Sequence, residues 1–274
     1  MDKETFADYA VKSTIEDTLQ EALDILDADD GKSFEEKKEA LIKHLQSHKE
    51  PVLVDALADL AIADKRGQQL KDTFWSAGEV TCDDASITLR KVDDSDREGY
   101  LELQKEYSIM KGMLNEQAYC DMAWNEHVEP KALTLTVLKD GAYVGYCGIK
   151  NTAQEPWEIA IELLPSWTNQ GIGSQVISAM MEAIATRLGV AEFRVRIDPG
   201  NQASQKLFEK LGAAPNGISE FLIHDQDALN KVEEDNLHLI DETLIALAAK
   251  FNVEPRQLLS HVLEYALIWD ESRA

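Results

Sequence analysis

The sequence predicts a mixed α/β fold: a sheet flanked by helices, with an added N-terminal helical region and a helical insertion before the last strand. Three observations carry this. Apolar residues spaced three and four apart dominate residues 1–78, the mark of amphipathic helices. "ALTLTVLKDGAYVGYCGIK", 132–150, is two alternating runs around Asp140-Gly141, a favoured hairpin turn pair. From residue 86 onward the order is strand, two helices, three strands, helix, strand, helix, strand, a layout in which helices cover a sheet.

In the N-terminal region, Ile15, Leu19, Leu23 and Leu26 share one helical face. Ser33 and Glu36 have the spacing of a capping box and precede Phe34, Leu41, Ile42 and Leu45. Pro51 suits a first helical turn before Leu53, Leu57, Leu60 and Ala61. "GEVTCDDAS", 78–86, reads as a linker. "SITLRKV", 86–92, alternates as a strand, and Ser95 with Glu98 predicts a second capping box before Tyr100, Leu103 and Tyr107. A further helical stretch covers about 109–127. "WEIAIELLP", 157–165, is an apolar strand stopped by Pro165. The next helix buries Val176, Ile177, Met180, Met181, Ile184 and Leu188 and closes at Gly189. "EFRVRI", 192–197, is a strand, Asn201 caps a short helix through Leu211, and "ISEFLIH", 218–224, is a further strand. Residues 226 to about 258 read as a helical insertion. Leu263, Tyr265, Leu267 and Trp269 alternate as a closing strand over 261–269, although Leu259, Val262, Leu263 and Ala266 also suit a helix starting at Pro255.

Composition narrows the function. A hydrophobic fraction of 44% supplies a core. No apolar run approaches the ~20 residues of a membrane span, and the polar start "MDKETFADYA" does not read as a signal peptide. Cys82, Cys120 and Cys147 are odd in number and far apart, which argues against a disulfide framework or a zinc site and for a reduced, cytoplasmic setting. The histidines have no metal-ligand spacing. The net charge of −24 disfavours nucleic acid and anionic membrane as partners. Solubility is one reading of that charge, and attraction of a cationic substrate or a basic partner is the other.

"GIGSQVISAMMEAIATRLG", 171–189, places Gly171 and Gly173 where a helix begins. Glycine there costs roughly 0.5–1 kcal/mol relative to alanine, so the backbone is expected to come close to something. A helix N-terminus carries unpaired N–H groups and a partial positive charge, which together can hold a pyrophosphate.

Three segments, in order and suitably separated, resemble the GNAT family of acetyl-CoA-dependent N-acetyltransferases: "WEIAIELLP", "TNQGIGS" and "NQASQKLFEKLGA". The resemblance covers about 86–225 and the last strand. It implies a mixed, mostly antiparallel sheet in a domain spanning 86–269, with acetyl-CoA as cosubstrate and no metal. It also implies that Gln170, Gly171, Ile172, Gly173 and Ser174 hold the pyrophosphate of coenzyme A through their backbone. Leu163 and Leu164, with Glu162 beside them, would pair with the pantetheine arm, and Asn201 and Phe208 would lie near it. Two departures stand out. Thr168 replaces the family's Gln or Arg, and Phe208 replaces the tyrosine that often protonates the leaving thiolate.

For the base, Glu158 occupies the position where many family members keep a catalytic glutamate. Either it has a raised pKa and takes a proton from the amine, or it is an ordinary strand-edge residue. Glu162, four residues on and on the same face, is the second candidate. The expected function is acetyl transfer to a primary amine by direct attack. The competing reading is a non-catalytic acyl-CoA-binding or regulatory module that engages a partner through its helical additions. The acceptor stays open between a small-molecule and a protein amine, cationic ones included, and a homodimer is among the expected assemblies.

Overall fold

The structure is a computed structural model that describes residue 25 and residues 31–46, 51–108, 110–221 and 225–270. Among these, the residues up to 72 together with 129–131 form one compact unit, and those of 73–128 and 132–270 form another.

The first unit contains α1 (Phe34–Gln46) and most of α2 (Pro51–Trp75). The cap expected of Ser33 and Glu36 forms: the Ser33 N–H donates to Glu36 Oε2 at 2.7 Å, and the Glu36 N–H donates to Ser33 Oγ at 3.4 Å. Leu41 is fully buried. Lys71 Nζ donates to the Glu129 carbonyl at 2.5 Å, tying α2 to the 129–131 segment. The apolar faces expected from Ile15 to Leu26 and from Leu53 to Ala61 lie outside the residues, or the side chains, that are described.

The second unit is built on eight strands: β1 (Val80–Thr81), β2 (Ile87–Lys91), β3 (Leu133–Lys139), β4 (Ala142–Ile149), β5 (Trp157–Leu163), β6 (Glu192–Ile197), β7 (Ala214–Ser219) and β8 (Val262–Ile268). Their order is β1-β2-β3-β4-β5-β6-β8-β7. Every pairing is antiparallel except β5 with β6. The helices are α3 (Arg97–Tyr107), α4 (Gln117–Val128), α5 (Ile172–Leu188), α6 (Gln202–Lys210), α7 (Gln226–Asn236) and α8 (Glu242–Phe251). The fold is the mixed, mostly antiparallel α/β class that the sequence predicts.

The 132–150 hairpin turns at Asp140 and Gly141 with φ of 51° and 78°, the primed geometry that matches strand twist. In α5, Val176, Ile177, Met180, Met181 and Ile184 are buried, as their spacing requires. α5 covers the sheet face that carries Ile161, whereas α3 and α4 bring Tyr100 and His127 onto Tyr146, on the opposite face.

Several local expectations are corrected. The 78–86 linker contains β1. The cap before α3 forms at Asp93 and Asp96, not at Ser95 and Glu98. Asp96 is drawn inward because Arg90 grips both its oxygens, at 2.8 and 2.7 Å, and the Thr136 hydroxyl donates at 2.7 Å. The strand expected at 218–224 is β7 at 214–219. Pairing with β8 selects it, and a sheet-edge position tolerates Pro215. The insertion is two helices, each opened by an aspartate cap, Asp225 and Asp241. Buried Glu233 in α7 accepts from Arg256 Nε at 2.6 Å and from Ser260 Oγ at 2.8 Å, which fixes the approach to β8. β8 is a strand because it is paired on both sides, by β6 and by β7, with Leu263, Tyr265 and Leu267 buried.

Candidate active site

β5 organises the site. It pairs with β4 from Ile159 to Leu163, but with β6 only at Trp157↔Phe193 and Glu158↔Arg194. The Glu158 carbonyl accepts from the Lys150 N–H at 3.0 Å, and the Leu164 N–H donates to the Val144 carbonyl at 2.9 Å. Even-numbered residues of β5 therefore turn their backbone groups toward β4. By strand alternation, the N–H and C=O of Ile161 and Leu163 face the other way, where β6 has splayed off. Such an edge accepts an extended ligand as an added strand.

The chain then passes a short turn at Pro165–Trp167 and enters α5. Asn169 and Gly171 have φ of 57° and 78°. No side chain caps the α5 N-terminus. Gln170 Nε2 donates back to the Ser166 carbonyl at 2.7 Å, and Ser174 Oγ to the Gly171 carbonyl at 3.0 Å. The first-turn N–H groups, which have no intrahelical partner, are thus left to the backbone of Ile172, Gly173 and Ser174. The two glycines have separate reasons. Gly171 supplies a left-handed conformation and has open space around it. A Cβ at Gly173 would sit 3.3 Å from Leu207 Cδ2 and 3.7 Å from Ile161 Cδ1, so its smallness serves packing against α6 and β5. Ile172 is buried. An open strand edge leading to an uncapped helix start fits an extended arm that ends in a pyrophosphate.

The two glutamates differ. Glu158 is buried, with Lys150 Nζ 2.6 Å from Oε1, and Arg196 Nε at 2.7 Å and an Arg194 guanidinium nitrogen at 3.6 Å from Oε2. Burial alone pushes its pKa up, but Lys150 and Arg196 outweigh it and hold the carboxyl below the usual range. The raised pKa expected of Glu158 is therefore absent, because three cations surround it. Glu162 carries that property. Burial pushes its pKa up, and the Tyr146 hydrogen bond and Lys150 offset this only in part. Its Oε2 is buried with no hydrogen-bond partner. Tyr146 lies directly across from Glu162 and packs edge-on against His127 at 4.6 Å between ring centres. Tyr100 stacks on His127 at 4.0 Å, and Trp124 joins this aromatic wall.

Asn201 caps α6, its side chain accepting from the Ser204 N–H at 3.0 Å. Phe208 is only 2% exposed, a core ring rather than a site surface. Lys150, Arg194 and Arg196 surround Glu158, and Tyr107 and Tyr146 flank Glu162; none of these is among the site residues expected from the sequence. Tyr146 was legible as the cross-strand partner of Glu162 once the 132–150 hairpin was set against β5. The others meet their partners only through sheet order and the placement of α3.

Residues 86–214 match the family profile of the acetyltransferase (GNAT) domain. A Bacillus subtilis (strain 168) protein, provisionally named a ribosomal protein bS18 alanine N-acetyltransferase, is 28% identical over 112 residues, covering 40% of this chain and 74% of its own. Two solved structures are similar. One is RimL, a ribosomal-protein alpha-N acetyltransferase, in complex with coenzyme A, with 17% identity, a TM-score of 0.49 and coverage of 70% of this chain and 98% of its own. The other is Mycobacterium smegmatis RimJ with a coenzyme A disulfide, with 14% identity, a TM-score of 0.47 and coverage of 70% and 86%. Residues 86–214, just under half of the chain, are thus similar to the acetyltransferase (GNAT) domain.

Proposed function

We propose that the protein transfers acetyl from acetyl-CoA to a primary amine by direct attack, with Glu162 as the base. One observation carries this assignment: half-buried Glu162 holds a buried carboxylate oxygen without a hydrogen-bond partner, and has a raised pKa, beside the open edge of β5. An alkylamine is mostly protonated at pH 7. Glu162 takes a proton from the ammonium form, the neutral nitrogen attacks the thioester carbonyl carbon, a C–N bond forms, the C–S bond breaks, and the second proton on that nitrogen passes to water. Edge N–H groups of β5 polarise that carbonyl. The sulfur leaves as a thiolate, tolerable with a thiol pKa near ~8.5, so an apolar Phe208 is compatible with turnover. Glu158 serves as a fixed ion that joins β4, β5 and β6. Asn201 and the 170–174 segment line the coenzyme. The relative's name favours a ribosomal-protein amine as the first acceptor to try.

The test uses acetyl-CoA with protein N-terminal peptides and small amines, read as addition of one acetyl group by mass spectrometry. Glu162→Gln lowers kcat about 10²–10⁴-fold at neutral pH, and less at high pH where the amine is already free. Acetyl-CoA binding stays unchanged. A second reading, a binding module without turnover, draws on the absent hydroxyl at Phe208 and on Thr168 in place of a cationic or amide side chain. Tight acetyl-CoA binding with no amine acetylated supports that reading.

A further inference from the structure

The backbone position best placed for the coenzyme arm already has a partner. The last residue of α3, Tyr107, reaches β5, and its hydroxyl donates to the Leu163 carbonyl at 2.9 Å. That carbonyl points to the unpaired side of β5, as the alternation fixed by Glu158 and Leu164 requires. Nothing in the core demands this contact, because Tyr107 is 47% exposed. Burial of its hydroxyl, with the negative charge of Glu162 and Glu106, raises the phenol pKa and keeps it a donor at neutral pH. A strand added to β5 runs about 4.8 Å from it. A hydroxyl 2.9 Å from the carbonyl stands within that lane.

We infer that Tyr107 stands in for the coenzyme arm: an arm amide N–H, when it adds along β5, takes the Leu163 carbonyl and displaces the Tyr107 hydroxyl. This rests on the reading of acetyl-CoA as cosubstrate. Tyr107 is then a positioning residue that sets coenzyme affinity without joining the chemistry. α3 ends at Tyr107, and Ser108 is already extended, with φ −68° and ψ 134°. The side chain can therefore swing aside without unwinding an interior helical turn. The cost of displacement is the loss of one neutral hydrogen bond, which subtracts from coenzyme binding.

Calorimetric titration of wild type, Tyr107→Phe and Tyr107→Leu tests this, with two ligands: coenzyme A, and its adenosine bisphosphate half, which lacks the arm. Tyr107→Phe is expected to bind coenzyme A roughly 2- to 10-fold more tightly and the half-ligand with wild-type affinity. Tyr107→Leu should show the same pattern. Unchanged or weaker coenzyme A binding by Tyr107→Phe overturns the inference, as does an equal gain for both ligands. If wild type itself binds no coenzyme A, the cosubstrate reading falls first and this inference falls with it.

Discussion

Glu158 and Glu162 lie on one face of β5, yet their neighbours give them opposite electrostatics. Glu162 is half-buried, and only Tyr146 and Lys150 soften the cost of its charge. If it is the base, it works ionised. Activity then falls as pH drops through a midpoint above the ordinary glutamate value of about 4.3. A pH profile of kcat/KM shows that limb in wild type, and Glu162→Gln removes it. Glu158 is held below its usual range by Lys150 and Arg196. A depressed folded-state pKa contributes stability above the unfolded pKa, and that stability is lost as pH falls through the folded value. Glu158→Gln should therefore destabilise the domain near neutrality by about 1–3 kcal/mol, below the ~3–5 kcal/mol of a fully buried pair because its cations remain partly solvated. Urea unfolding at neutral and acidic pH checks this, and the gap from wild type should narrow in acid.

At the scale of elements, the coenzyme lane depends on two junctions. The first is the entry to α5. Gly171 has φ of 78° and open space around it, so a substitution there tests conformation and not volume. Gly171→Ala should cost about 1–2 kcal/mol, seen as a fall of a few degrees in Tm, and should weaken coenzyme binding by distorting the first turn. The second junction is β8, which fills the gap between β6 and β7. Deleting 262–270 removes Leu263, Tyr265 and Leu267 from the core and opens two strand edges at once. Cooperative unfolding should be lost. Replacing 228–256 with a short linker removes the Phe251–Tyr265 ring contact at 5.0 Å and the Glu233 pairs. It leaves every strand pairing in place, so a melting transition should survive at lower temperature.

Across the whole molecule, a net charge of −24 opposes the approach of an anionic coenzyme. Salt screens that repulsion within a Debye length of about 10 Å at 0.1 M. The association rate of acetyl-CoA should therefore rise with ionic strength in stopped-flow measurements. The charge is not uniform, since Lys150, Arg194 and Arg196 gather around one carboxylate on the face that carries Glu162. A rate that falls with salt would mean that this local cluster, and not the net charge, steers the coenzyme.

Residues 259–269 suit a strand or a helix in the sequence until β6 and β7 pair with β8, whereas the amino-acid order alone marks the 132–150 hairpin, the β5 strand and the α5 helix with its glycine start. These are local, because turn chemistry, capping and a period of two or 3.6 residues act over a few positions. It also placed Glu158 and Glu162 on one face of one strand. It could not tell the held ion from the uncomfortable carboxylate, because that distinction comes from residues far along the chain. Arg194 and Arg196 reach Glu158 only because β6 starts beside β5, and Tyr107 reaches Leu163 only because α3 ends over the splayed edge. The Asp93–Asp96 cap is not legible in the sequence for the same reason, since Arg90 and Thr136 meet Asp96 through the pairing of β2 with β3. Burial and cross-strand charge set the pKa of a side chain and the partner of a carbonyl, and tertiary structure alone supplies both.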